Sequence, residues 1–287
     1  MTMREVVPQL RRASFLILLL FVFSLGASPQ ASQEQPNELA RRILQNELRV
    51  EAQDHSHWMF RLDTENEKGE AEVDEVVETP HGDLKLPISI NGAPLTPKER
   101  QESEKGLERL VTNPGALEKS RKDQNQDAAR SQHLLKMLPD AFIFTYGERR
   151  GNLLQLAFRP NLKFRPAGHE EQVFHAMEGS LWVDDHENRL AEISGQLMDE
   201  VRFGGGLLGH LDKGGTFDVK QAPVAPGYWE MTLLNVHMNG KALFFKTIAV
   251  RQKYSRSNFQ RVPDDLTAAN GAEMLKKQVS SDQARRP

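Results

Sequence analysis

The fold is decided by the run Tyr228-Trp-Glu-Met-Thr-Leu-Leu-Asn-Val-His-Met-Asn-Gly-Lys-Ala-Leu-Phe-Phe-Lys-Thr-Ile-Ala-Val-Arg251. On both sides of Asn239-Gly240, apolar and polar side chains alternate, which is the pattern of a strand with one buried face. Asn-Gly favours a type I′ turn, because both central residues of that turn need a positive φ. The run therefore predicts an antiparallel β-hairpin with its turn at Asn239-Gly240.

Strand signals of the same kind occur upstream and are separated by short turns. Short connections indicate antiparallel neighbours, since a parallel pair needs a longer crossover. Two glycine-rich stretches, 201–208 and 215–219, are expected where strands bend or bulge. The other predicted strands cover residues 57–62, 71–79, 84–90, 142–146, 153–158, 176–184 and 189–197.

Helical patterns occupy two further parts of the chain. Residues 37–52 place apolar side chains at roughly helical spacing, which predicts an amphipathic first helix. The highly charged segment 96–138 is broken at Asn113-Pro-Gly115, so it predicts two helices. Thr96 and Glu99 have the spacing of a capping box at the start of the first one. We interpret this segment as a solvated helical insertion packed on the sheet through one stripe, and a mobile lid over a cavity is the alternative.

Composition excludes several classes of protein. The chain has 287 residues and no cysteine, which rules out a disulfide scaffold, a cysteine-ligated zinc site, an iron–sulfur protein and a thiol enzyme. Lysine and arginine number 37 against 40 aspartate and glutamate. This near balance argues against the basic surface that nucleic-acid binding needs, so we expect no nucleic-acid partner.

The first 31 residues have the layout of a secretory signal peptide. Arg4, Arg11 and Arg12 precede the apolar run 15–23, and small residues follow at 24–31. The run is shorter than the roughly 20 residues that span a bilayer. We therefore expect cleavage and a periplasmic product without a stable membrane span, with a retained anchor as the alternative. Leu25-Gly-Ala-Ser28 resembles a lipoprotein box in which serine replaces the lipidated cysteine.

The sequence carries no recognisable catalytic or metal-binding motif. His169 and His175 lie six residues apart, whereas a zinc-binding helix needs histidines at i and i+4. His55 and His57 lack a convincing third ligand, and Asp184-Asp185 is more simply a turn former. A nucleophile elbow and a phosphate-binding loop are both absent from the sequence. We therefore predict no catalytic residue, no metal site and no cofactor.

Large apolar side chains recur at strand spacing in the second half of the chain. Most are expected in the core. A strongly curved sheet wrapped around a helix can nonetheless leave a groove that suits an acyl chain or an apolar peptide. The candidates for the wall of such a cavity are Trp182, Phe203, Trp229, Met231, Phe244 and Phe245.

Several runs in this half follow a strand pattern known from one protein family. They are Gly179-Ser-Leu-Trp-Val-Asp184, Arg189-Leu-Ala-Glu-Ile193, Lys213-Gly-Gly-Thr-Phe217, Gly227-Tyr-Trp-Glu-Met231 and Gly240-Lys-Ala-Leu-Phe-Phe245. Over about residues 141–262 the chain resembles the outer-membrane lipoprotein-sorting (LolA/LolB/RseB-like) superfamily. The resemblance implies an α+β fold, with a strongly curved antiparallel β-sheet (half-barrel), helices packed on its concave side, and a hydrophobic cavity for acyl chains. The charged segment 96–138 and the long polar end depart from the family pattern.

These observations lead to one expected organisation and one expected function. Residues 1–31 are expected to be a signal peptide, 32–263 a single LolA-like α+β domain with the helical insertion 96–138, and 264–287 a polar, disordered tail, with a weakly helical tail as the alternative. We expect an exported periplasmic, non-enzymatic binding protein that holds an apolar ligand, a lipid or lipoprotein acyl chain, between sheet and helices. The alternatives are an exported hydrolase with a carboxylate or histidine site, and an envelope module whose charged helices contact a protein partner.

Overall fold

The computed structural model describes residues 34–242 and 246–284. The predicted signal peptide, together with Phe244 and Phe245, lies outside the described residues. The helices are α1 (Pro36–Gln53), α2 (Pro97–Val111), α3 (Pro114–Ala141), the short α4 (His169–Gln172) and α5 (Ala268–Ala284). The strands are β1 (His57–Glu65), β2 (Ala71–Val77), β3 (Leu84–Ile90), β4 (Ala93–Pro94), β5 (Phe142–Arg150), β6 (Leu153–Pro160), β7 (Met177–Asp184), β8 (Arg189–Leu197), β9 (Val201–Phe203), β10 (Gly209–Leu211), β11 (Thr216–Ala225), β12 (Tyr228–Ala242) and β13 (Lys246–Val262).

The strands form one 13-stranded antiparallel sheet. Its order is β4-β3-β2-β1-β13-β12-β11-β8-β7-β6-β5, and β9 and β10 branch from β12. The sheet is open, because β4 and β5 end the order instead of pairing with each other. The predicted class, α+β with a large curved antiparallel sheet, is confirmed.

One face of the sheet, called the inner face below, carries the largest apolar cluster. Cross-strand partners lie on the same face of a sheet. One row of partners joins the two arms of this sheet, which are β5 to β8 on one side and β1 to β3 with β13 on the other. That row is Leu181, Ile193, Val219, Leu234, Tyr254 and Thr64. Helix α1 packs on this face, with Ile43 and Leu44 buried among Phe142, Leu156 and Leu181. The predicted first helix is therefore present and is seated on the sheet.

Helices α2 and α5 cover the opposite face at the β1–β3 end. Met59 and Val77 alternate along their strands with Phe60 and Val76, so their side chains point away from the inner face. Met59 and Val77 form a second buried cluster with Leu107 of α2 and with residues of α5. The prediction of helices on the concave side describes α1 and α3, whereas α2 and α5 add a layer that it did not include.

The prediction of a disordered tail over 264–287 is wrong for its described part, which forms α5. Ala272, Leu275 and Val279 are buried in the second cluster. Their three- and four-residue spacing makes one apolar stripe on an otherwise polar helix. Gly271 brings this helix close to the sheet, because a Cβ there would stand 3.2 Å from Val77 Cγ1. From Gln35 onward the chain, α5 included, forms one compact unit.

The charged segment forms the two predicted helices. Its capping box is present, with the Thr96 hydroxyl accepting from the Glu99 N–H at 3.3 Å and the Glu99 carboxylate accepting from the Thr96 N–H at 2.8 Å. The 28 residues of α3 give a length of about 42 Å at about 1.5 Å per residue. Leu117 near its start packs with α2 and α5, and Leu138 near its end packs with α1. Helix α3 therefore extends from one arm of the sheet to the other.

The hairpin of β12 and β13 is present, but the prediction of its turn at Asn239-Gly240 is wrong. Both residues lie within β12, where Asn239 pairs with Ala249 and Gly240 with Ile248. Strand β10 explains why glycine stands there, since a Cβ at Gly240 would lie 2.1 Å from the His210 carbonyl oxygen. Gly240 thus allows β10 and β12 to approach closely and does not form a turn.

A buried ion pair fixes α1 to the sheet. The Arg189 guanidinium of β8 donates to both carboxylate oxygens of Glu47 in α1, at 2.8 and 3.2 Å, and the Leu190 N–H donates to Glu47 at 2.7 Å. Both charged side chains are 8% exposed. Water therefore screens this pair much less than an exposed one.

Removing one partner of this pair should strongly destabilise the fold. We expect Glu47→Ala to lower the free energy of unfolding by about 3–5 kcal/mol, because Arg189 would be left buried without a counter-charge. The measurement is urea denaturation at neutral pH. Asp140→Ala breaks the exposed Arg41–Asp140 pair and is the matched control, with an expected loss of less than about 1 kcal/mol. Equal losses in the two variants would contradict the structural role given to Glu47.

Candidate functional site

Helix α3 lines three cavities on the inner side of the sheet. Its residues from Gln124 to Leu135 contribute to all three. We call them the charged channel, the tryptophan pocket and the apolar groove, and define each by its lining residues below. They differ in the chemistry of their walls, so each would select a different class of ligand.

The charged channel is the largest of the three, at about 1150 Å³, and lies against β1, β2, β3 and β13. Its wall mixes acidic and basic side chains. The charged lining residues are Glu65, Glu67, Lys68, Glu70, Glu72, Lys85, Asp127, Arg251 and Arg256. Beside them, Asp74 is fully buried with one oxygen 3.2 Å from Lys85 Nζ and the other without a hydrogen bond. Burial raises the pKa of Asp74 to about 6. Because the charges nearly cancel, this channel does not favour either sign of ligand.

The tryptophan pocket, of about 370 Å³, lies between the end of α1, the middle of α3 and strands β8, β11 and β12. Arg189 of the buried ion pair forms part of its wall, and its guanidinium carbon lies 5.4 Å from the Trp229 ring centroid. The Trp229 Nε1–H donates to Glu187 at 2.9 Å, which fixes the indole. The lining residues are Glu47, Val50, Glu51, Asp54, Ser56, Glu78, Ser131, Leu135, Arg189, Leu190, Gln221, Trp229, Glu230 and Met231.

Two carboxyl groups of this pocket hold their protons unusually tightly. Burial raises the pKa of Glu78 to about 8, and the charges of Asp83 and Glu230 add to the effect. One Glu78 oxygen accepts from the Trp58 N–H at 2.9 Å, which partly offsets it. The pKa of Glu230 is also raised, by burial first and then by Asp54. The surroundings of this pocket therefore oppose the ionisation of both glutamic acids.

The apolar groove, of about 510 Å³, lies at the other side of α3, near the glycine-rich loop between β9 and β10. Its floor is continuous with the α1 core through Phe174 and Met177, which are both buried there. Leu208 at its edge is 42% exposed, and the neighbouring Leu207 is 85% exposed. The lining residues are Arg130, Leu134, Val173, Phe174, Met177, Phe203, Leu208 and Leu211.

The predicted wall residues do not all meet in one cavity. Phe203 lines the apolar groove, whereas Trp229 and Met231 line the tryptophan pocket. Trp182 follows Leu181 in β7 and so points to the opposite face, where the Arg150 guanidinium carbon lies 4.2 Å from its ring centroid. Phe244 and Phe245 lie outside the described residues.

Sequence reasoning missed most of the apolar groove. Phe174 lies in the 3₁₀ helix Val173–Ala176, which follows a charged stretch, and Leu211 lies in the short strand β10. Neither region shows a long alternating pattern. Leu134 was visible as part of the apolar end of the second charged helix. The signal that could have linked them is the concentration of apolar residues at one end of α3, which requires an apolar partner surface.

One group of side chains in the described part of the chain has the spacing of a metal site. Glu200, His210 and Asp212 place one ligand atom each within 4.8 Å of one another. Glu200 is already paired with Arg202, and His210 Nε2 lies 3.3 Å from Asp212. Both carboxylates are exposed, and exposed acidic groups of this kind are common without a metal. The group therefore carries no assignment of a metal.

The raised pKa of Glu78 predicts how its variant should respond to pH. The pKa of Glu78 is higher in the folded state than in the unfolded chain. The protein therefore loses stability as the pH rises from the unfolded to the folded pKa, because over that range only the unfolded chain releases the proton. We expect Glu78→Gln to gain stability relative to the wild type from about pH 5 to about pH 8. Urea denaturation across that range measures the difference. Glu102→Gln, on the exposed side of α2, should follow the wild type, and parallel curves for Glu78→Gln would refute the shift.

Two findings outside the cavities bear on function. Among the described residues, no helix combines the length and apolar character needed to cross a bilayer. No family model, curated protein or solved structure matches the chain. The cavities beneath α3 are therefore the observations from which a function can be proposed.

Proposed function

We propose that this protein is an exported, non-enzymatic binding protein that holds an apolar ligand, the acyl chain of a lipid or lipoprotein, in the apolar groove. The observation that carries the proposal is the lining of this groove. Seven of its residues are apolar, namely Leu134, Val173, Phe174, Met177, Phe203, Leu208 and Leu211. A wall of this kind offers a hydrocarbon chain contact without desolvating polar groups.

The size and energetics of the groove suit such a ligand. Its volume of about 510 Å³ lies within the range of about 300–1,000 Å³ that is typical of small-molecule sites. Each methylene group that leaves water contributes about 0.8 kcal/mol. Leu208, which lines the groove, is 42% exposed, so a bound chain would also cover apolar surface that now faces water.

Arg130 gives the groove a polar end. It is the charged residue among those that line the groove in the described part of the chain, and its side chain is 63% exposed. Its guanidinium lies 4.0 Å from Asp127, at the limit of an ion pair. A cation at the rim of an apolar groove suits the carboxylate or phosphate at the head of an acyl ligand.

Export and family resemblance give independent support. The order of basic, apolar and small residues over 1–31 is that of a secretory signal peptide. The strand runs between Gly179 and Phe245 resemble those of the lipoprotein-sorting superfamily, whose members carry acyl chains. An envelope protein with an apolar groove would meet such ligands directly.

Replacing one wall residue by aspartate should weaken binding. We expect Leu208→Asp to weaken binding of a dansyl-labelled fatty acid by about tenfold or more, because the carboxylate would be desolvated by the chain. Fluorescence titration measures the affinity.

Leu162→Asp is the matched control for this experiment. Leu162 is 75% exposed and does not line the groove, so its variant should bind like the wild type. Equal affinity in the wild type and Leu208→Asp would place any fatty-acid binding elsewhere. Failure of the wild type to bind the probe would refute the proposed function.

A further inference from the structure

The tryptophan pocket has a chemistry that an acyl ligand would not use. Its wall combines acidic and apolar side chains. The carboxylates are Glu47, Glu51, Asp54, Glu78 and Glu230, and Arg189 is the basic residue among the described lining residues. The apolar residues are Val50, Leu135, Leu190, Trp229 and Met231.

The positive charge of Arg189 does not neutralise the other acids, because Arg189 is already paired with Glu47. Its guanidinium makes both of its hydrogen bonds in the pocket to Glu47. Asp54 accepts from the Ser56 N–H at 2.7 Å and Glu78 from the Trp58 N–H at 2.9 Å. Backbone donors of this kind satisfy a lone pair but bring no positive charge. The pocket is therefore formally anionic.

The environment of Glu78 and Glu230 agrees with this deficit of positive charge. Burial raises the pKa of both, and the neighbouring acids Asp83 and Asp54 raise it further. Arg256, which lines the charged channel, acts in the opposite direction on both without restoring the ordinary values, and Arg189 also acts on Glu230. A ligand that brings a positive charge would stabilise the ionised carboxylates and release a proton.

We propose that the tryptophan pocket binds an organic cation, a small alkyl amine or polyamine. Its ammonium group would lie against Glu78 and Glu230, and its alkyl part against Met231 and Leu135. The indole of Trp229 would add a cation–π contact or an apolar wall according to the position of the ammonium group. This site is separate from the apolar groove and does not rest on the proposed function.

Size and geometry favour an organic cation over a metal ion. The cavity of about 370 Å³ has room for a molecule of several heavy atoms. A hard divalent cation needs six or more oxygen ligands that converge on one point. Among the described residues, the acidic group close enough to share an ion is Glu200, His210 and Asp212, outside this pocket. No three of the described carboxylates of the pocket bring their oxygens within 4.8 Å of one another, as sharing one metal ion would require.

Isothermal titration calorimetry with spermidine at pH 7 tests the proposal. We expect saturable binding to the wild type and a measured heat that depends on the ionisation enthalpy of the buffer, which reports proton release. Glu230→Gln and Trp229→Ala should each weaken the affinity by about tenfold or more. Glu78→Gln replaces the acid by its neutral isostere, so it should abolish the dependence on the buffer.

Two controls keep the outcome unambiguous. Glu102→Gln removes an exposed carboxylate outside the pocket and should bind spermidine like the wild type. Urea denaturation of each variant separates loss of binding from loss of folding. Equal affinity of the wild type and Glu230→Gln, or displacement of spermidine by an equal concentration of magnesium, would overturn the assignment. Fatty-acid binding is measured in a separate titration. A protein that fails to bind spermidine would overturn only the assignment of the tryptophan pocket, and the fatty-acid titration would still decide the proposed function.

Discussion

The buried pair between Glu47 and Arg189 is the interaction on which the rest of the structure depends. It joins α1 to β8 across 142 residues of sequence, and it is completed by the Leu190 N–H. With α1 held on the sheet, the end of α3 has a surface to pack on through Leu138. The start of α3 is held separately by Leu117. The helix is thus fixed at both ends, and the space beneath its middle is not filled by a core.

The two arms of the inner face explain why that space differs along its length. In β5 to β8 the inner positions are apolar, as with Phe142, Leu156 and Leu181, and they pack against α1. In β1, β2 and β13 the inner face is mixed, with Glu72, Asp74 and Arg256 among apolar residues, so it cannot form a dry core. The apolar groove borders the first arm, and the charged channel borders the second. The wall of the tryptophan pocket contains both apolar and charged residues, so its composition is intermediate between those of the other two cavities.

Sequence reasoning predicted the features that are set locally. The first helix, the capping box at Thr96 and the main hairpins depend on neighbouring residues, and the structure has them. Sequence reasoning failed where contacts between distant parts of the chain determine the structure. Gly240 stands in a strand because of the His210 carbonyl, and alternation could not tell whether Trp182 or Leu181 faces inward. The buried ion pair gave no signal at all, because charged residues are common in both segments.

Methionine methyl groups offer the most direct test of the central claim, that two chemically different ligand spaces lie beneath α3. Met177 lines the apolar groove and Met231 the tryptophan pocket. NMR spectra of protein labelled with ¹³C at the methionine methyls report on both at once. Palmitate should shift the Met177 signal and leave Met231 in place, and spermidine should do the reverse. A common response of both methyls to each ligand, or a palmitate shift at Met231 alone, would contradict the account.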